Sequence, residues 1–75
     1  MLKKLSQIKP GRNVKIDSFV EDEIFLKLME MGCLPGEVIS VEKIAPLGDP
    51  ISIKVAGYLL SLRLNEAEKI LVKEI

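Results

Sequence analysis

A chain of 75 residues forms one small domain, and one cysteine with no histidine leaves it neither a disulfide nor a zinc-ligand set to staple its core. Eleven basic residues balance eleven acidic ones at a pI near 6.2, which argues against nucleic acid as a partner, since phosphate-binding domains typically have a pI above about 9. Hydrophobic residues make up 48% of the chain, more than a domain this short hides easily, and this points to a partner or to a homo-oligomer.

No apolar run reaches the roughly 18 residues of a membrane span. Residues 1–10 also lack the unbroken apolar stretch of a signal peptide. The expectation is a cytoplasmic protein without direct membrane insertion.

Pro10-Gly11 opens the pattern as a turn, with Gly where φ must be positive. Val14 and Ile16 then alternate with Lys15 and Asp17 as a half-buried strand, and a slip at Ser18-Phe19 predicts a bulge or sharp bend. From Asp22 to Met31, Glu23, Lys27 and Glu30 form the polar stripe of a helix, and Ile24, Phe25, Leu28 and Met31 cover its other face. Asp22 is the predicted N-cap; Gly32 is the predicted left-handed residue that stops the helix, with Pro35 forbidding its continuation.

Pro35-Gly36 repeats the turn-into-strand device before Val38, whose strand to Ile44 carries apolar residues on both faces. Ile51, Ile53 and Val55 alternate with Ser52 and Lys54, and a two-residue Ala56-Gly57 turn leads into a strand on which Tyr58, Leu60, Leu62 and Leu64 share one face. Gly57 supplies the positive φ. Asn65 and Glu68 have the N-cap and N3 spacing of one helical turn. Ile70 and Val72 alternate with Leu71 and Lys73 as a last strand. The fold class is therefore mainly β with one short α-helix. About five tightly connected strands remove most of their edges by closing as a small SH3-like barrel, with the helix plugging one open end. Residues 1–75 read as a single domain.

Signals for chemistry are sparse. Without histidine the usual general base is missing, and no serine has a recognisable nucleophile–base arrangement, so an enzyme is not expected. Glu21, Asp22 and Glu23, with Asp17, are the only acid cluster; acids at a helix start complement its dipole, and no metal site is assigned to them. Cys33 reads as a small buried hydrophobe. Met29 lies beside the polar stripe of the helix, where its position fits the core and the surface equally. The loop 45–50 is the most suggestive stretch: Pro46 and Pro50 stiffen it, Gly48 permits a tight bend, and Leu47 sits at its middle with no strand to bury it. Leu47, flanked by Gly48 and Asp49, is a candidate partner contact or a cap over the barrel's end, and Lys27 and Met29 are candidates for the same surface.

Three stretches resemble the FeoA family. Residues Lys27 to Gly36 are similar to its RL-x-x-x-G-x-x-P-G signature, Ala45 to Ile51 to its a-P-L-G-d-P-i loop, and Gly57 to Arg63 followed by Glu66-Ala67 to its G-x-x-l-s-L-R-x-x-E-A segment. Lys27 stands where the family usually has Arg, which loses a planar bidentate fork and counts against any ion pair built there. The resemblance implies an SH3-like barrel, no cofactor, and a non-enzymatic accessory role in ferrous iron uptake beside FeoB, a membrane transporter with a cytoplasmic GTPase domain. Related domains form the C-terminal part of metal-dependent transcriptional repressors, so the alternative is a regulatory domain of that kind.

Overall fold

The computed structural model describes residues 1–75. Strand β1 (Lys3–Lys4) runs into a 3₁₀ turn (Leu5–Gln7), followed by β2 (Asn13–Phe19), helix α1 (Asp22–Glu30), β3 (Val38–Ile44), β4 (Ile51–Val55), β5 (Tyr58–Leu62), the single-turn helix α2 (Leu64–Ala67) and β6 (Ile70–Glu74). All strands pair antiparallel in one sheet of order β1-β6-β2-β3-β4-β5. Six strands are present where about five were expected. The additional one, β1, pairs Lys3 with Val72 and Lys4 with Leu71, and two adjacent lysines carry no alternation to announce a strand.

Two bulges let this sheet wrap around one core. The register slips between Ile16 and Ser18 where β2 meets β6, and between Val41 and Lys43 where β3 meets β4. An extra residue at each point bends its strand and raises the local twist. The two Pro-Gly turns tie the same strands together. Gly11 N–H donates to the Val41 carbonyl and Gly36 N–H to the Ile16 carbonyl, both at 2.7 Å. Inside lie sixteen buried apolar residues, drawn from every strand but β1 and from both helices, with Leu5, Val14, Ile16, Leu28, Ile53 and Leu62 among them. Cys33 is buried with them, and burial, followed by the charge of Glu37, pushes its thiol pKa up, away from the reactive thiolate.

Helix α1 turns Ile24 and Leu28 into this core. Its N-cap is Glu21, one residue ahead of the expected Asp22, and no side chain caps it; the Glu21 carboxylate pairs instead with Lys69 at 3.4 Å. Its end is a Schellman motif. Cys33 N–H donates to the Leu28 carbonyl (2.9 Å) and Gly32 N–H to the Met29 carbonyl (3.1 Å), while Gly32 takes a φ of 91°.

The β4–β5 hairpin pairs Val55 with Tyr58 across Ala56 (φ 50°) and Gly57 (φ 84°), the two positive angles of a type I′ turn. Three details differ from the sequence reading. Strand β5 stops at Leu62, and Leu64 belongs to α2. Tyr58, at the hairpin tip, is 71% exposed and does not join Leu62 in the core. The last helical turn is capped from Arg63 rather than Asn65, with Glu66 at N3, because the Glu66 carboxylate accepts the Arg63 N–H at 3.0 Å.

A Cβ added at Gly32 meets nothing within 4 Å, so substitution there tests backbone strain alone. Gly32→Val is expected to cost about 1–2 kcal/mol. In a domain this small the melting temperature falls by roughly 5–15 °C, and calorimetric or circular-dichroism melts read it directly.

Candidate partner-binding site

The loop between β3 and β4 is closed on itself before anything else holds it. Ala45 N–H donates to the Pro50 carbonyl (3.1 Å) and Gly48 N–H to the Ala45 carbonyl (2.7 Å), which puts Pro46 and Leu47 at the tip of a tight turn. Leu47 is 95% exposed. It is not a cap over the barrel's end, the other role its sequence position allowed.

The loop is fixed to the rest of the molecule by a run of polar contacts. Asp49 Oδ1 accepts the Leu64 N–H at 3.1 Å, which satisfies one of the orphan donors at the start of α2. Two residues on, Glu66 receives the Arg63 N–H on Oε1 and the Lys27 ammonium on Oε2. Glu66 is only 8% exposed and is the one buried charged residue. Its pKa is lowered chiefly by the hydrogen bond from Lys27; burial opposes this, and the Arg63 N–H and the charges of Lys27 and Arg63 reinforce it. Lys27 belongs to α1, 39 residues away in sequence. Loop, α2 and α1 are thereby one connected unit.

The ion pair that the exchange of Arg for Lys argued against is therefore present. An ammonium needs no fork when its partner carboxylate spends the other oxygen on a backbone N–H. A shallow cleft lined by Asp49, Pro50, Ser61, Leu62 and Arg63 lies beside the loop.

Of the residues singled out from sequence, Leu47, Gly48 and Asp49 stand together, and Lys27 joins them through Glu66. Met29 is exposed on α1 next to Leu26, outside this run of contacts. Gly32, Pro35 and Gly36 shape the connection from α1 to β3, and Gly57 turns the hairpin at the opposite end of β4 from the loop. Glu66 and Arg63 were missed as site residues. The Arg63-to-Glu66 spacing is that of a capping box, but the box normally begins with Ser or Thr. No group of three or more Cys, Asp or Glu side chains gathers as a metal site would require.

A family model, described as FeoA domain, matches residues 3–74. The chain belongs to the FeoA family. Among curated FeoA relatives, a fusion of Fe(2+) transport protein A with the Fe(2+) transporter FeoB from Porphyromonas gingivalis is 36% identical over 71 residues, 93% of this chain but only 8% of the fusion. The FeoA-like protein of Clostridium acetobutylicum has a solved structure with a TM-score of 0.91 at 39% identity, covering 99% of this chain and 87% of that one. The zinc-complexed FeoA of Stenotrophomonas maltophilia, described as a procaryotic SH3 domain protein, matches with a TM-score of 0.80 at 25% identity over 95% and 89% of the two chains. A likeness of fold alone extends to IdeR of T. acidophilum, at 22% identity and a TM-score of 0.87 over 99% of this chain and 34% of that one. The FeoA fold here is the SH3-like barrel that the sequence predicted.

Because the folded pKa of Glu66 is depressed, its contribution to stability is present above the ordinary glutamate value of 4.5 and is lost as pH falls through the lower folded value. Glu66→Gln should remove that acid-side loss. It should also destabilise the protein at neutral pH by about 1–2 kcal/mol, the worth of a charge-assisted hydrogen bond discounted because Lys27 is itself exposed. Denaturant melts of both proteins from pH 7 downward measure the two effects together.

Proposed function

We propose that the chain is a non-enzymatic accessory module of ferrous iron uptake that works in the cytoplasm by binding an FeoB-type transporter through the 45–50 loop. Leu47 is the apolar anchor, Gly48 and Asp49 set its presentation, and Lys27 acts through Glu66 to hold the loop's base. The observation that carries the reading is an exposed leucine on a loop already held by its own hydrogen bonds and by Asp49. An anchor ordered before binding loses little entropy when it docks. The Porphyromonas gingivalis fusion supports the choice of partner, because it joins an FeoA portion and FeoB in one polypeptide.

A second reading makes the chain a regulatory domain that docks within a metal-dependent repressor, favoured by the fold likeness to IdeR. The two differ in what the loop recognises. On the first reading, Leu47→Ala weakens binding to the transporter's cytoplasmic domain by roughly 5- to 150-fold. The melting temperature stays the same, because the side chain is already in solvent. Calorimetric titration with the purified domain decides between them: unchanged affinity removes Leu47 from the interface. Anaerobic titration with Fe²⁺ alone should show no stoichiometric tight site, because scattered carboxylates bind ferrous iron weakly unless preorganised.

A further inference from the structure

The sheet order runs from β1 to β5 without closing, so these two strands are its edges. A free edge offers unpaired N–H and C=O groups to any other strand, and chains ordinarily blunt it with charge, proline, a bulge or short length. The β1 edge is blunted in this way, being two residues long and both of them lysine. The β5 edge is not. Its five residues, Tyr58-Leu59-Leu60-Ser61-Leu62, include no charge and no proline, and they keep an unbroken register with β4.

The hairpin decides which groups this edge presents. Its two-residue turn makes Val55 and Tyr58 a hydrogen-bonded pair, and the alternation then gives Leu60 and Leu62 to β4 as well. Leu59 and Ser61 therefore turn their N–H and C=O groups outward. No other strand lies on that side, and no turn or loop bonds to it. Both residues are exposed, Leu59 at 70%.

We propose that β5 pairs antiparallel with β5 of a second copy, about a two-fold axis at Leu60, to form a closed dimer. In this register Leu59 lies opposite Ser61 of the second copy and Ser61 opposite its Leu59. Every free N–H and C=O on the edge then finds a partner. Leu60 meets its own image at a non-hydrogen-bonded position, where side chains come closest. Tyr58 falls opposite Leu62 of the second copy, so an apolar row passes from one sheet into the other.

Charge places no obstacle in the way. Lys54 lies opposite Leu59 on β4, and its row continues into Ser61 and then Ser52 of the second copy. Arg63 comes level with the second copy's Gly57. Two neutral edges thus meet without the like-charge opposition that destabilises a sheet. Because the β1 edge is blunted, each copy has one edge to give, and assembly stops at two rather than growing into a filament. Two five-residue edges bury less than the roughly 1,200 Å² of a standard interface, so the dimer is weak and forms at about 0.1 mM. The proposal does not depend on the transporter reading, since it needs only the chain itself.

The test is sedimentation equilibrium of the full chain from about 10 μM to about 1 mM, with amide exchange measured at both ends of that range. A monomer should give way to a dimer, and the Leu59 and Ser61 amides should slow as it forms, while the Leu60 amide is protected throughout. Ser61→Pro removes an outward N–H and leaves the β4 ladder whole, so it should weaken the dimer about tenfold or more with little change in melting temperature. Leu59→Glu, set opposite Lys54, should weaken it to a similar degree. Leu47→Ala should leave it unchanged. A chain that stays monomeric, a dimer that survives both β5 variants, or fast exchange at Leu59 and Ser61 within the dimer would overturn the proposal. Protection of those two amides by the transporter's cytoplasmic domain, in a chain that remains monomeric, would assign the edge to a strand of the transporter instead.

Discussion

Glu66 is a carboxylate taken almost out of water, and a charge in that position is stable only where its partners are fixed around it. Losing the Lys27 hydrogen bond costs about 1–2 kcal/mol even though Lys27 itself is exposed, a large share of what so small a core supplies. The Lys27 ammonium and the Arg63 N–H are those partners. The demand runs outward from there. Helix α2 has four residues, too few to be stable by itself; it stands because Ala67 is in the core, Glu66 caps its start and Asp49 takes a further N–H. The loop that presents Leu47 is held at its base by that last bond. Order at an exposed tip thus depends on a charge in the interior.

Much of the barrel was legible in the sequence because its strands alternate cleanly and its turns are written in Pro-Gly and Ala-Gly. The β4–β5 hairpin and the stop of α1 at Gly32 follow from local rules that nothing tertiary overrides. Three of the misplacements, those at Asp22, Asn65 and β1, share a cause. Asp22 and Asn65 have better capping side chains than Glu21 and Arg63, yet the helices begin at the latter because Glu21 answers Lys69 and Glu66 answers Lys27 across the fold. Strand β1 exists only because β6 has a free edge to offer it. Contacts between residues dozens of positions apart leave no periodicity to read, which is why Leu47 could be picked out on its loop while Glu66, which steadies that loop, could not.

The arrangement divides the labour of the molecule between distinct regions. The core and the two bulges set the barrel's shape. The helices, tied by Lys27 and Glu66, steady the loop.

The central claim is that the 45–50 loop is ordered from inside the protein, through Asp49 and α2. Amide hydrogen exchange of Leu64, compared between the native chain and Asp49→Ala, tests it most directly. Exchange at Leu64 should accelerate by about tenfold or more in the variant, while the amides of β2 and β6 keep their protection. An unchanged Leu64 amide would contradict the account, because the loop would then owe its order to its own turn alone.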